Sequence, residues 1–599
     1  MKNHGRLIIV VAFLFFLIFS PTIGTAQPTC AELATILAGN PLLTPLSYPL
    51  PTSTLVPATG VDAAYCNVQI TYSSRGGPEY GYAVGQVQHI GIGIGLPLNS
   101  SDGGKGGVQG AWNGKLQNLG GGVCAGIVGP TTSATDAGYV GTSTDTGHTL
   151  AEIGARCNFG VIQSIHKLDL GMIDDFIYEG VHQQVEWGKA LANIYYGMAP
   201  IRNYWNGCST GGRQGLALAQ KWGDQFDGFI VGAPAIYWQE FRLSDSWPYL
   251  VVKDRLTAIG KSLTDAQFAA ANAAAIAACE NVVLADGIID NPLECHFSAT
   301  ANICGKPGAP ASPNCLDADQ AAAIDLIWAG PHNHYGLRIW YPFERGVLLS
   351  NFLIDLFPNF STNQVLAYDH LDLNYPVNNL YLDEAAIAAA GYPPNAITYE
   401  DEATLSARVT DNYMETQDVN LDKVKHRGGK IIMWQGSADP LIRWRDSVDY
   451  YRRVATYYGH GEADYEGLQP WFRYYHAPGA SHCGPGVGPA PANVFGNLVD
   501  WVEKGIAPDT ILATGGSFNP TATRPLCPWP KTAIYNGSGP TTVASSFHCG
   551  GNMEPPSVVC EMLRTVFGFE NGRVLDFAET DGWVCPKWDG WPLGQQLGQ

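Results

Sequence analysis

Ser209 lies in Gly207-Cys208-Ser209-Thr210-Gly211, and His482 lies between Ser481 and Cys483. A serine in a G-x-S-x-G pentapeptide is a candidate nucleophile for acyl transfer, exposed on a sharp strand-to-helix turn. Such a serine needs an imidazole at about 3 Å to take its proton. The neighbouring cysteines offer the link, because a disulfide holds its two Cα atoms about 5.5 Å apart. A Cys208–Cys483 bridge would bring Ser209 and His482 together across 275 residues of sequence. The pentapeptide alone is a weak signal in a chain with 70 glycines among 599 residues. Its setting strengthens it: residues 201–205 read as a short strand, and Gly211-Gly212 opens a helix over 213–222. A glycine-rich turn with an inert serine is the plainer alternative, and the cysteine pairing argues against it.

Asp439, in Gly436-Ser437-Ala438-Asp439-Pro440, follows an apolar run and is the candidate acid that fixes the imidazole tautomer. A turn-capping aspartate would look the same locally. The order Ser209, Asp439, His482 is that of the α/β-hydrolase triad. His476 competes with His482 as the base, but only His482 is tied to the serine through a cysteine. Acyl transfer also needs an oxyanion hole. One donor is expected at the Thr210 amide. The other is expected in the glycine run Leu119-Gly120-Gly121-Gly122-Val123-Cys124-Ala125-Gly126, at Gly121 or Gly122, unless that run is only a flexible turn.

The positioning elements follow from apolar runs. Phe229-Ile230-Val231-Gly232, residues 430–436 and residues 471–475 read as buried parallel strands. Functional residues just past such strands are what an open α/β sheet offers. The fold class is therefore α/β, with a catalytic domain over 27–235 and 428–599. Between them, 236–427 changes character. Thr264-Asp265-Ala266-Gln267 is a capping box for an alanine-rich helix, and Trp238, Phe241, Trp247, Trp328, Trp340, Tyr341 and Phe343 cluster there. This insertion is read as a lid over the carboxyl end of the sheet. A second domain with its own core would share its boundaries.

Lys2 and Arg6 precede an apolar run over residues 7–19, and Gly24-Thr25-Ala26 follows, so 1–26 reads as a signal peptide rather than a membrane span. Export to an extracellular or periplasmic location agrees with 14 scattered cysteines and no C-x-x-C. Seven disulfides are possible, with connectivity open. Acceptor sequons begin at Asn99, Asn359 and Asn536. A net charge of −20 argues against nucleic acid as a partner, and no membrane span is expected once the leader is removed.

The motifs around Ser209 and His482, with Ser437-Ala438-Asp439-Pro440-Leu441-Ile442, Trp112-Asn113-Gly114-Lys115 and Gly428-Gly429-Lys430, resemble the tannase and feruloyl esterase family from about Cys30 to Cys585. The resemblance implies an α/β-hydrolase with a large inserted lid, cleaving small phenolic esters without a catalytic cofactor. Gallate esters are placed first and feruloyl esters next. A mono(2-hydroxyethyl) terephthalate-type hydrolase is the runner-up, and a binding protein on a hydrolase shell is the alternative of another class. The resemblance further implies lid disulfides Cys279–Cys295 and Cys304–Cys315. It also implies a structural calcium, whose ligands here would be Glu280, Leu284, Asp286 and Ile288. The loop is one residue short and lacks a middle aspartate, which leaves both an occupied and an empty site open. Trp238, Trp340, Tyr341 and Phe343 are candidates for stacking on a phenolic ring or for core, and Arg338 or Arg345 for pairing with a substrate carboxylate.

Overall fold

The computed structural model describes residues 27–554, apart from 44–48, 77–86, 106–109, 150–160, 163–166, 169, 239–243, 245–246, 249–250, 253, 332–339, 350–415 and 462. The leader at 1–26, Arg338, Phe241, the Asn359 sequon and much of the expected lid lie outside the described residues.

The molecule is organised on a nine-stranded mixed sheet. Its strands are β1 (Thr52–Val56), β2 (Tyr65–Gly76), β3 (Val87–Pro97), β4 (Lys115–Leu119), β5 (Val140–Thr144), β6 (Arg202–Cys208), β7 (Gly228–Gly232), β8 (Lys430–Gly436) and β9 (Phe472–Ala477). The spatial order is β1-β2-β3-β5-β4-β6-β7-β8-β9. β1, β2, β3 and β5 pair antiparallel in turn, and every neighbour from β5 to β9 is parallel. The expected strands at 201–205, 229–232, 430–436 and 471–475 are β6 to β9.

The apolar runs are continuous because both faces are covered. Phe229, Val231, Ile431, Met433, Phe472 and Tyr474 point into one core cluster, with helices α1 (Gly180–Tyr196), α2 (Thr210–Trp222) and α4 (Trp444–Tyr458). Ile230, Ile432, Trp434 and Tyr475 point into the opposite cluster, under α5 (Val494–Lys504). The two-residue alternation of the pleat sorts neighbouring apolar side chains to opposite faces.

In the expected lid, α3 (Asp265–Cys279) opens on Thr264, whose side chain accepts from the Gln267 amide while Gln267 reaches back. Phe268, Ala271, Leu316, Ile324, Ile327, Trp328 and Phe343 form a core separate from that of the sheet. This segment is fixed to α4 by a buried ion pair, Arg445 Nε to Glu344 Oε1 at 2.5 Å, and Trp444 Nε1 donates to the same oxygen at 3.0 Å. Tyr237 donates its hydroxyl to Asp449 on that helix. Trp238, Trp340, Tyr341 and Phe343 are all buried, so in this structure they are core. Arg345 gives its Nε to the Phe297 carbonyl at 2.6 Å and lies over the Trp328 ring, which commits it to packing.

The bridges Cys208–Cys483, Cys279–Cys295 and Cys304–Cys315 are formed, together with Cys30–Cys66 and Cys527–Cys549. The Asn99 sequon is closed by packing. Its side chain is buried and its Nδ2 donates to the carbonyls of Pro28 and Tyr195, both at 2.9 Å. Among the described residues no helix is long and apolar enough to cross a membrane.

Candidate active site

Ser209 sits where β6 turns directly into α2, with φ 64° and ψ −126°. A non-glycine residue with positive φ is strained, and this one is locked from both sides. Its amide donates to the Gly232 carbonyl at 2.9 Å, and its carbonyl accepts from the Arg213 amide at 3.1 Å. The turn can be this tight only with glycines around it. A Cβ on Gly207 would lie 2.3 Å from the Gly211 oxygen, and one on Gly120 would lie 2.6 Å from the Gly211 Cα. Strand end, helix start and the loop after β4 therefore meet backbone to backbone, which brings the glycine run to the serine.

As the first residue of α2, Thr210 has an amide without an intrahelical acceptor. Its hydroxyl donates to the Val123 carbonyl at 2.5 Å, tying the helix start to the glycine loop. Of the two expected loop donors, Gly121 is taken: its amide donates to Gln214 Oε1 at 2.9 Å. Gly122 is the remaining one, and its carbonyl anchors the loop by accepting from the Ala125 amide at 2.8 Å.

Asp439 is buried and uses its two oxygens differently. Oδ1 accepts from the amides of Leu441 at 2.8 Å and Ile442 at 3.1 Å, the turn-capping role. Oδ2 lies 2.8 Å from His482 Nδ1 and also accepts from Gln435 Nε2 at 2.7 Å. One oxygen thus caps the turn and the other faces the imidazole. A carboxylate beside Nδ1 keeps the proton there and leaves Nε2 basic.

Cys208 and Cys483 are joined with Cα atoms 6.0 Å apart, and Cys483, like Ser209, has positive φ, at 58°. Ser209, His482, Gly121 and Gly122 line one open cavity of about 690 Å³. Its other walls are mostly apolar, with Leu119, Ile230, Trp434, Val494 and Phe495, and polar side chains from Asn206 and Asn493. Among the described residues no arginine, lysine or carboxylate lines it, nor does any residue of 236–427. His476 lies elsewhere, buried and stacked on Trp444 with ring centroids 4.4 Å apart. Burial pushes its pKa down to about 3, so it is a neutral core histidine.

The residues expected to hold calcium carry protein contacts of their own. Calcium takes six to eight oxygens. Glu280 Oε2 accepts from the Gly287 amide at 2.7 Å, Asp286 Oδ1 accepts from the Ile288 amide at 3.2 Å, and Asp286 Oδ2 is paired with Arg524. Both carboxylates of the candidate set Glu280, Leu284, Asp286 and Ile288 are thus engaged. Among the described residues no group of three or more His, Cys, Asp or Glu is placed to hold a metal ion.

Sequence reasoning missed Gln435, Gln214 and the cavity aromatics Trp434 and Phe495. A signal existed for the first, a polar residue inside a buried apolar strand.

A family model described as tannase and feruloyl esterase matches residues 108–550. A probable feruloyl esterase of Arthroderma benhamiae is 29% identical over 521 residues, 84% of this chain and 88% of that protein. The mono(2-hydroxyethyl) terephthalate hydrolase of Piscinibacter sakaiensis is 28% identical over 487 residues, 74% and 78% of the two chains. Among solved structures, feruloyl esterase B from Aspergillus oryzae superposes with a TM-score of 0.66 at 23% identity, over 83% of this chain and 96% of the other. A tannin acyl hydrolase from Aspergillus niger gives 0.65 at 23% identity, over 88% and 97%. At that identity these two support the fold alone.

Proposed function

Because the chain belongs to the tannase and feruloyl esterase family, and so is a carboxylic ester hydrolase, we propose that it is an exported serine esterase of the α/β-hydrolase type that cleaves hydroxycinnamate esters through an acyl-enzyme. Ser209 Oγ attacks the ester carbonyl as His482 Nε2 takes its proton, with Asp439 stabilising the imidazolium. The amides of Thr210 and Gly122 receive the oxyanion. Collapse expels the alcohol, which takes the proton from His482. Water, deprotonated by the same imidazole, then attacks the acyl-serine and releases the acid. No metal enters these steps. The insertion at 236–427 is read as a lid, its described part braced on α4 without lining the cavity.

The observation that carries the reading is the buried Asp439 carboxylate 2.8 Å from His482 Nδ1, in a chain whose disulfide ties His482 to the Ser209 turn. The order of substrates follows from the cavity lining. A galloyl ring brings three hydroxyls that need partners, and an apolar site that offers few rejects them only modestly, by up to about 100-fold. Among the described residues, Asn206 and Asn493 supply the polar side chains beyond the serine and histidine, which suits a feruloyl ring with one hydroxyl. This reverses the sequence-based order of gallate over ferulate. A terephthalate monoester would call for a cation, and none lines the cavity among the described residues. Side-by-side kcat/KM on methyl ferulate, methyl gallate and mono(2-hydroxyethyl) terephthalate tests the order. Ferulate is expected to lead by tenfold or more; gallate in the lead would overturn the assignment and leave the triad standing.

A further inference from the structure

The family's calcium-type loop meets the carboxyl-terminal part of the chain at a buried ion pair. Beyond the main sheet, β10 (Ala490–Pro491), β11 (Ile511–Thr514) and β12 (Thr523–Leu526) form a small antiparallel sheet, and β13 (Thr532–Tyr535) pairs with β14 (Phe547–Gly550). Arg524 lies on β12, and its Nη2 donates to Asp286 Oδ2 from 238 residues away. The two side chains are each 9% exposed. The guanidinium lies over the Phe547 ring at 4.1 Å, so aromatic packing fixes its plane as the carboxylate fixes its edge. A second acid, Asp290, lines the same small cavity as Arg524 and Ile288. Asp286 is thus paired with an immobilised cation, and Asp290 lies within the field of the same guanidinium.

We propose that Arg524 is a built-in replacement for the divalent ion of this loop: its guanidinium supplies the positive charge that lets the loop bury its acids, so the loop is metal-independent. A calcium ion entering here would have to expel the guanidinium or sit beside it without water, and like charges so close in a dry site repel strongly. The shortened loop and the missing middle aspartate are then two parts of one exchange, in which ligands disappear and an arginine arrives. The consequence reaches the active site. A Cβ on Gly287 would touch Val487 and Phe518, and one on Gly479 would touch Ile288, so the loop rests on chain to either side of His482.

The test uses the full mature chain and reads melting, so its outcome is independent of which ester is cleaved. Wild-type protein is melted in EDTA and in millimolar calcium chloride, and the two midpoints are expected to agree within about 1 °C. A calcium-dependent rise of several degrees overturns the proposal. Asp286→Asn, which keeps the shape and removes the carboxylate charge facing the guanidinium, is expected to lower the midpoint by about 2–4 °C. An Asp286→Asn protein that melts with the wild type also overturns it. Should that variant not fold, the chelator comparison on the wild type stands by itself.

Discussion

Replacing both Cys208 and Cys483 by alanine separates two things the bridge does. In the unfolded chain it closes a loop of 275 residues, and the lid bridges, spanning 16 and 11 residues, hardly shorten it on a logarithmic scale. Chain entropy then puts the stabilisation near 5 kcal/mol as a ceiling, with measured bridges usually giving 2–4. In the folded chain it joins two backbones held in the left-handed region, Ser209 at φ 64° and Cys483 at φ 58°. Released, each can relax, and a shift of about 1 Å between base and nucleophile costs about 100-fold in rate. The expected double variant therefore melts about 2–4 °C lower, yet at 25 °C, still folded, it has kcat on methyl ferulate reduced by about 100-fold with little change in KM. Thermal melting and steady-state kinetics on one preparation read both effects. A variant with lowered melting temperature and kcat within twofold of wild type would show that the bridge only stabilises, and the positioning argument would fail.

Two further outcomes follow from single contacts. Gln435→Leu removes the amide that donates to Asp439 Oδ2 and is expected to lower kcat about tenfold at unchanged KM, since hydrogen bonds to charged groups contribute about 1.5–3 kcal/mol; kcat equal to wild type would sink the role given to Gln435. His476 titrates at about 3 when folded, against 6.5 in the unfolded chain. The unfolded chain thus binds the extra proton, and stability present above pH 6.5 is lost as pH falls toward 3, by up to roughly 5 kcal/mol. His476→Phe, which keeps the stack on Trp444, should flatten that acid limb in urea melts run from pH 7 to pH 4, and parallel curves would contradict this.

What was legible in the sequence was what local pattern and chain order encode. Ser209 carries its glycines and its cysteine within two residues, and β7 and β8 announce themselves as apolar runs because both faces are buried. Contacts made across long separations were not legible. Arg524 meets Asp286 only because β12 folds back over the loop, and no spacing rule links them. The aromatics Trp238, Trp340, Tyr341 and Phe343 read equally as ring platform or as core, because burial is a tertiary property. Asn99 matches an acceptor motif in sequence and is spent on two backbone carbonyls in the fold. Gly121 and Gly122 are alike until Gln214, a turn into α2, takes one of the two amides. Gln435 stands in sequence as a lone amide in an apolar strand, and its bond to Asp439 depends on the turn that follows that strand.

The central claim is that Ser209 carries the acyl group. Mixing the enzyme with methyl ferulate, quenching in acid within milliseconds and measuring intact mass tests it directly. The wild type is expected to gain the mass of one feruloyl group, mapped to the peptide containing Ser209, while Ser209→Ala gains none and loses turnover by about 10⁴-fold or more. An Ser209→Ala protein that hydrolyses the ester at the wild-type rate, or an adduct mapped to another residue, would contradict the account.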